Sequence, residues 1–177
     1  MIIEFYKYQG TGNDFIIIDD RDKSFKISDN LLIKSLCERK MGIGADGLIL
    51  LRNHDVYDFR MIYFNSDGLE STLCGNGARC IVAFAYLLEI IKEKSSFLAI
   101  DGVHDANISD DDVSIKFKDI LKIDYDNDCF IIDSGSPHLI KITSDIDKID
   151  VDIEGSKIRN SHNFESLGIN VNFIEYD

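Results

Sequence analysis

The sequence predicts a mixed α/β (α+β) fold in which short strands wrap around one buried helix. Three observations lead there. The run Ile81-Val82-Ala83-Phe84-Ala85-Tyr86-Leu87-Leu88 is apolar almost all round, and a helix of that kind must be covered on every side. Most other apolar segments are short and bounded by Gly, Asn, Asp or Ser, which is the pattern of strands and turns. The chain has 177 residues, 45% hydrophobic and 29% charged, enough for one ordinary domain or two small ones and too apolar for general disorder.

Taken in order, residues 2–8 and 14–20 read as strands separated by the turn Gln9-Gly10-Thr11-Gly12-Asn13. Ser28 is predicted to cap a helix running to about Lys40, with Leu31, Leu32 and Leu36 on its buried side and Gly42 at its end. Leu48–Leu51 and Tyr57–Met61 read as strands, and Asn65-Ser66-Asp67-Gly68 as a turn. The buried helix follows Cys74-Gly75-Asn76-Gly77-Ala78-Arg79. Further strands are predicted at Phe97–Ile100, Val113–Lys118, Phe130–Asp133, Leu139–Thr143 and Asn170–Tyr176, with a short helix at Glu154–Arg159. The acidic stretches Ile108–Asp112 and Asp124–Asp128 read as hairpin tips or linkers. A boundary near 118–122 divides the chain into residues 1–118 and 119–177.

Composition excludes several functions. Asp and Glu total 32 against 19 Lys and Arg, a net charge of −13, so nucleic acid and anionic membrane surfaces are disfavoured as partners. No apolar run approaches the roughly 18 residues of a membrane span, and the N-terminus lacks the basic start and apolar core of a signal peptide. The expected location is cytoplasmic. Cys37, Cys74, Cys80 and Cys129 are then expected as reduced thiols, and no Cys-x-x-Cys pair or zinc-finger spacing points to a metal.

The candidate chemistry lies at the start of the buried helix. The first amides of a helix lack internal partners and attract anions. A thiol placed there gains thiolate character. Small residues after Cys74 leave the amides of Gly75 and Asn76 open to a carboxylate. Cys74 is thus a candidate base beside an anion clamp; the bland alternative is a buried cysteine followed by loop-forming glycines. His138, just past Gly135-Ser136-Pro137, could tune a thiol. Asn13, Asn65 and Asn76 stand beside glycines, either as turn formers or as neutral donors and acceptors for a zwitterionic ligand.

Rival motifs fit less well. Gly42-x-Gly44-x-x-Gly47 matches a dinucleotide pattern, but a helix precedes it and a strand follows, the reverse of what that site needs. A phosphatase loop wants five residues between Cys and Arg, and here four separate Cys74 from Arg79. A cysteine hydrolase needs a His base, and His54, His104, His138 and His162 leave that open.

Together the runs Gly12-Asn13-Asp14-Phe15, Gly42-Ile43-Gly44-Ala45-Asp46-Gly47, Phe64-Asn65-Ser66-Asp67-Gly68 and Cys74-Gly75-Asn76-Gly77-Ala78-Arg79, with Ser136-Pro137-His138 and Asn170-Val171-Asn172-Phe173, resemble the diaminopimelate epimerases. The resemblance implies two pseudo-symmetric domains, each a curled, mostly antiparallel sheet around a central helix. It implies a cofactor-free isomerase that interconverts LL- and meso-2,6-diaminopimelate in lysine and peptidoglycan biosynthesis, with no metal, and a homodimer. On matching positions Cys74 is one of two catalytic thiols, assisted by His138. Gly75 and Asn76 hold the reacting carboxylate, and Asn13, Asn65, Ser136 and Asn170 are substrate contacts. Two positions depart from the family pattern: Gly47 stands where some members have Gln, and Ser136 where they have Asn. The family's Glu-Arg pair and second cysteine setting do not occur in these residues. The expectation is therefore an incomplete second domain and a chain inactive alone. The alternatives are a same-fold isomerase of another small acid, or a non-catalytic remnant that binds a ligand.

Overall fold

The structure, a computed structural model, describes residues 2–109, 112–126, 128–164 and 168–176. It divides into two compact units, Met1–Phe117 and Lys118–Asp177.

In the first unit seven strands form one sheet in chain order: β1 (Tyr6–Gly10), β2 (Asn13–Asp19), β3 (Gly47–Arg52), β4 (Phe59–Asn65), β5 (Lys94–Ala99), β6 (Gly102–Ser109) and β7 (Asp112–Ile115). Two pairs, β2–β3 and β4–β5, are parallel and the other four antiparallel. Each parallel pair is bridged by a helix, α1 (Asn30–Cys37) and α2 (Gly75–Leu87) respectively, because a parallel return cannot be made by a tight turn. The β1–β2 hairpin turns on Thr11 and Gly12, both at positive φ (54° and 84°), the geometry that suits a two-residue hairpin.

Strand alternation sorts the core into two layers. Phe15, Ile17, Ile49, Leu51, Phe59, Met61, Phe97, Ala106 and Ile108 pack on α2 residues Ala78, Ile81, Val82, Phe84 and Ala85. Ile16, Ile18, Leu48, Leu50, Ile62 and Phe64 face the opposite way, onto Ile33 and Cys37 of α1. With both faces covered, β2 and β3 read as unbroken apolar runs. Strands at both ends of the sheet, β1 and β7, reach α2, so the sheet curls around it.

In the second unit β8 (Ile123–Asp126), β9 (Cys129–Asp133), β10 (Pro137–Ile142) and β11 (Asn170–Ile174) form a sheet in the order β11-β10-β9-β8. A 3-10 turn, Ile146–Lys148, and helix α3 (Val151–Arg159) connect β10 to β11, which pair in parallel. The sequence hairpin, helix, parallel strand therefore occurs twice, as β1-β2-α1-β3 and as β9-β10-α3-β11.

Several sequence-based boundaries shift. α1 is capped by Asp29, not Ser28, its carboxylate accepting from the Leu32 amide at 3.0 Å. The helix ends at Cys37; Ile33 and Cys37 are its fully buried residues, the predicted Leu32 and Leu36 pack beside them, and Leu31 is 80% exposed. The last turn of α2 emerges into solvent at Tyr86 and Leu87. β6 and β8 were not predicted. The proposed tip residues Asp110, Asp111 and Asn127 lie outside the described residues.

Candidate active site

The start of β2, the start of β3 and the end of β4 lie at one end of the sheet, since Phe15 pairs with Gly47 and Gly47 with Asn65. α2 begins at that same end. Asn13, Asn65, Cys74, Gly75 and Asn76, scattered over the sequence, are thereby brought to one edge of the first unit. The turn after Asn65 is closed by the Gly68 amide on the Asn65 carbonyl at 2.9 Å, and Ser66 donates its amide to Asp46 O at 3.1 Å.

Cys74 is the N-cap of α2. Its sulfur accepts from the Gly77 amide at 3.5 Å, and its carbonyl accepts the first helical bond, from Ala78, at 2.8 Å. The amides of Gly75 and Asn76 come earlier, where a helix supplies no carbonyl partner. The Phe117 ring lies beside Gly75: a Cβ there would come within 2.8 Å of its Cζ. The Cys74 thiol is half-buried and donates to Asn13 Oδ1 across 3.6 Å.

Asn13 and Asn76 are neighbours, Asn76 Nδ2 donating to Asn13 Oδ1 at 3.4 Å. Asn76 Oδ1 accepts from Thr11 Oγ1 at 3.1 Å and from the Arg79 guanidinium. Asn13 Nδ2 donates to Asp46 Oδ2 at 2.8 Å. Behind this lies an ion cluster: Arg39 bridges Asp46 at 2.7 Å and Asp14 at 2.8 Å, and Lys7 reaches Asp14 at 2.8 Å. The Arg39 guanidinium, and then Lys7, hold the Asp14 carboxyl well below its ordinary value. The roles of Asp46, Arg79 and Thr11 were missed from sequence, although all three stand inside or beside the motifs.

Gly47 is shaped by Tyr63. A Cβ at position 47 would sit 2.5 Å from Tyr63 Cε2 and 2.6 Å from the Phe64 carbonyl. Tyr63 packs edge-on against Phe15 at 6.1 Å, and burial raises its phenol's pKa. A Gln at this position would have to displace that ring.

The other cysteines differ from Cys74. Cys37 and Cys80 are buried, and burial pushes each thiol up to about 11. Cys129 opens β9 and caps no helix.

In the second unit His138 sits on β10 opposite Asn170 on β11. His138 Nδ1 and Asn172 Nδ2 are hydrogen-bonded at 3.0 Å. Asn170 Nδ2 donates to the Pro137 carbonyl at 3.3 Å. Ser136 lies in the turn before β10, its carbonyl accepting from the Ser134 amide at 3.2 Å. Asn172 is a further residue without a role in the sequence reading, visible only once β10 and β11 are paired.

Residues 5–118 match the sequence profile of the family described as diaminopimelate epimerase. The diaminopimelate epimerase of Flavobacterium psychrophilum is 48% identical over 173 residues, covering 97% of this chain and 68% of that protein. That of Chlorobaculum tepidum is 40% identical over 176 residues, covering 94% and 67%. The chain thus spans about two thirds of the length of these relatives. Among solved structures, a phenazine biosynthesis protein of Bacillus anthracis superposes with a TM-score of 0.63 at 18% identity, over 99% of this chain and 68% of that one. A methylitaconate-delta-isomerase superposes with a TM-score of 0.52 at 12% identity, over 80% and 53%. These two likenesses speak for the fold; the sequence matches speak for the family, and the chain belongs to the diaminopimelate epimerases.

Proposed function

We propose that this chain acts on 2,6-diaminopimelate, supplying one face of a two-thiol epimerisation between the LL and meso forms. The observation that carries this reading is Cys74 at the N-cap of α2, with the amides of Gly75 and Asn76 next to it and Asn13 against its sulfur. The α-C–H of an amino acid is a very weak acid. Its removal requires that the carbanion's charge, delocalised onto the carboxylate, be met by fixed donors in a site closed to water. In this reading the amides at the start of α2 receive that carboxylate, and Asn13, Asn65 and Asn76 hold polar groups of the substrate; the roles proposed for Ser136 and Asn170 rest on the family resemblance alone. One sulfur, as thiolate, takes the α-hydrogen as a proton. A thiol on the opposite face delivers its proton to the carbanion and becomes thiolate, so the two sulfurs exchange states and the centre is inverted. His138 would assist one of these transfers. A working thiol must stay reduced, which suits the cytoplasm; among the described residues no helix is long and apolar enough to cross a membrane. A homodimer is the expected assembly.

The second thiol is the missing part of this scheme. Cys37 and Cys80 are buried and pushed up to about 11, and Cys129 opens a strand and caps no helix, so none has the setting of Cys74. We therefore infer that the thiols of these 177 residues do not complete the inversion. The test is diaminopimelate in deuterated buffer. Solvent deuterium is expected at the α-carbon with the unsubstituted chain and none with Cys74→Ser. Label entering proline and not diaminopimelate would replace this reading by a racemase of the same fold. LL-to-meso turnover by the purified chain would overturn the inference about the second thiol.

A further inference from the structure

The polar chain beside Cys74 is terminated by two ions of opposite sign, and each can bond in one sense. A carboxylate accepts, and a guanidinium donates. Asp46 Oδ2 accepts from Asn13 Nδ2 at 2.8 Å, so the other end of that amide, Oδ1, is turned inward. Arg79 donates to Asn76 Oδ1, joined there by Thr11 Oγ1 at 3.1 Å, so Asn76 turns its Nδ2 inward. The inward ends meet as donor and acceptor, Asn76 Nδ2 on Asn13 Oδ1 at 3.4 Å. The sulfur of Cys74 faces the same Oδ1 at 3.6 Å. A primary amide has nearly the same shape after a half-turn about its terminal torsion. Sterics alone therefore leave both orientations open to Asn13, and polarity selects one.

We propose that Asp46 and Arg79 are positioning residues: they lock the amides of Asn13 and Asn76 so that an acceptor oxygen, never an N–H, faces the Cys74 thiol. This rests on Cys74 being the reactive thiol. Oδ1 receives the S–H proton, and the Gly77 amide approaches the sulfur as donor at 3.5 Å. The thiol proton thus has one fixed direction before any substrate arrives. Asp46 is itself held, its Oδ1 by Arg39 at 2.7 Å and its Oδ2 also by the Asp14 amide at 3.2 Å.

Asp46→Asn tests the idea because it keeps the shape and reverses the polarity. Arg39 still claims the oxygen of residue 46, leaving an N–H2 toward Asn13; Asn13 meets it by turning over, giving up the Asn76 bond and presenting its own Nδ2 to the sulfur. A donor there favours thiolate, so alkylation of Cys74 by iodoacetamide, followed peptide by peptide in the mass spectrometer, should quicken about tenfold. Buried Cys37 and Cys80 are internal controls. A merely structural loss would raise all three rates together, whereas the relay predicts a rise confined to Cys74. Arg79→Lys keeps a donor and should leave the Cys74 rate within about twofold of the unsubstituted chain. An Asp46→Asn rate within about twofold, with the controls still protected, overturns the proposal. A second measurement needs no variant: the Asn13 side-chain amide protons should show nuclear Overhauser contacts to Asp46 and Arg39, and contacts to the Cys74 β-protons would overturn the lock. If Cys74 reacts no faster than Cys37 in every form, the reactive-thiol reading fails, and the relay with it.

Discussion

The Gly77 amide donates to the sulfur of Cys74 across 3.5 Å, so the atom that closes the first turn of α2 is also the atom proposed to carry protons. The two roles separate by substitution. Cys74→Ser keeps an acceptor at the cap and should melt within about 0.5 kcal/mol of the unsubstituted chain, while Cys74→Ala should lose about 1 kcal/mol. Both should abolish the deuterium exchange. Equal stability of the two variants in urea would show that the sulfur contributes nothing as a cap.

Two glycines should respond oppositely to the same change. At Gly47 an added methyl meets Tyr63 and the Phe64 backbone, the nearer atom at 2.5 Å. Gly47→Ala should therefore cost about 1–3 kcal/mol as an overpacked site. Gly155, inside α3, has nothing within 4 Å of such a methyl. Gly155→Ala should gain about 0.5–1 kcal/mol through helix propensity. Chemical denaturation of each variant reads both, and a destabilised Gly155→Ala or a neutral Gly47→Ala would contradict the packing described.

Asp20 is fully buried, and its carboxylate accepts from Arg52 Nε at 2.6 Å and from the Phe25 amide at 2.8 Å. Removing one partner of such a pair strands the other's charge, which typically costs about 3–5 kcal/mol. Arg52→Met should show a loss of that order. Asp20→Asn, which can still accept one bond, should lose less. A loss below about 1 kcal/mol for Arg52→Met would mean that the pair is hydrated in solution.

The buried thiols predict alkaline sensitivity. Cys37 and Cys80 rise from an ordinary 9.0 to about 11 in the folded chain. Between those values the unfolded chain has lost protons that the folded chain keeps, so stability must fall as pH rises. The slope reaches about 1.4 kcal/mol per pH unit for each thiol. Tyr8 and Tyr63, also raised by burial, act in the same direction at higher pH. Urea midpoints from pH 8 to 10.5 should decline, and the decline should be shallower when Cys37 and Cys80 are both replaced by Ala. A flat profile for the unsubstituted chain would refute the buried state of these thiols.

The central helix was legible because its apolar run leaves no polar side to face water. The strands β2 and β3 were legible as apolar runs bounded by turn residues. β6 was not: Asp105–Ser109 alternates, but at its start the pattern is reversed, with Val103 exposed and the polar His104 buried. The buried His104 is accommodated by Asp101 at 3.1 Å and the Lys116 carbonyl at 3.2 Å, partners that hydropathy does not register. β8, rich in aspartate, resembles a linker in composition. On α1 the reading of Leu32 and Leu36 as core-facing holds, and Leu31 is the error, exposed while Ile33 and Cys37 carry the fully buried positions. At the site, Cys74, Gly75, Asn76, Asn13 and Asn65 stood out through residue type and neighbours. What Asp46 does could not be read, since it depends on which end of an amide, 33 positions away in the chain, points at it.

The strict succession of strands in both sheets bears on how the molecule is made. Within each sheet every strand after the first hydrogen-bonds to the one synthesised just before it, so it finds its docking edge already extruded. The exception is the helix that fills the curl: α2 arrives after four strands, and its cover is complete only when β7 has emerged. Until then its apolar flank remains wet, and that interval is when a nascent chain of this family would be most prone to capture by a chaperone or by its neighbours.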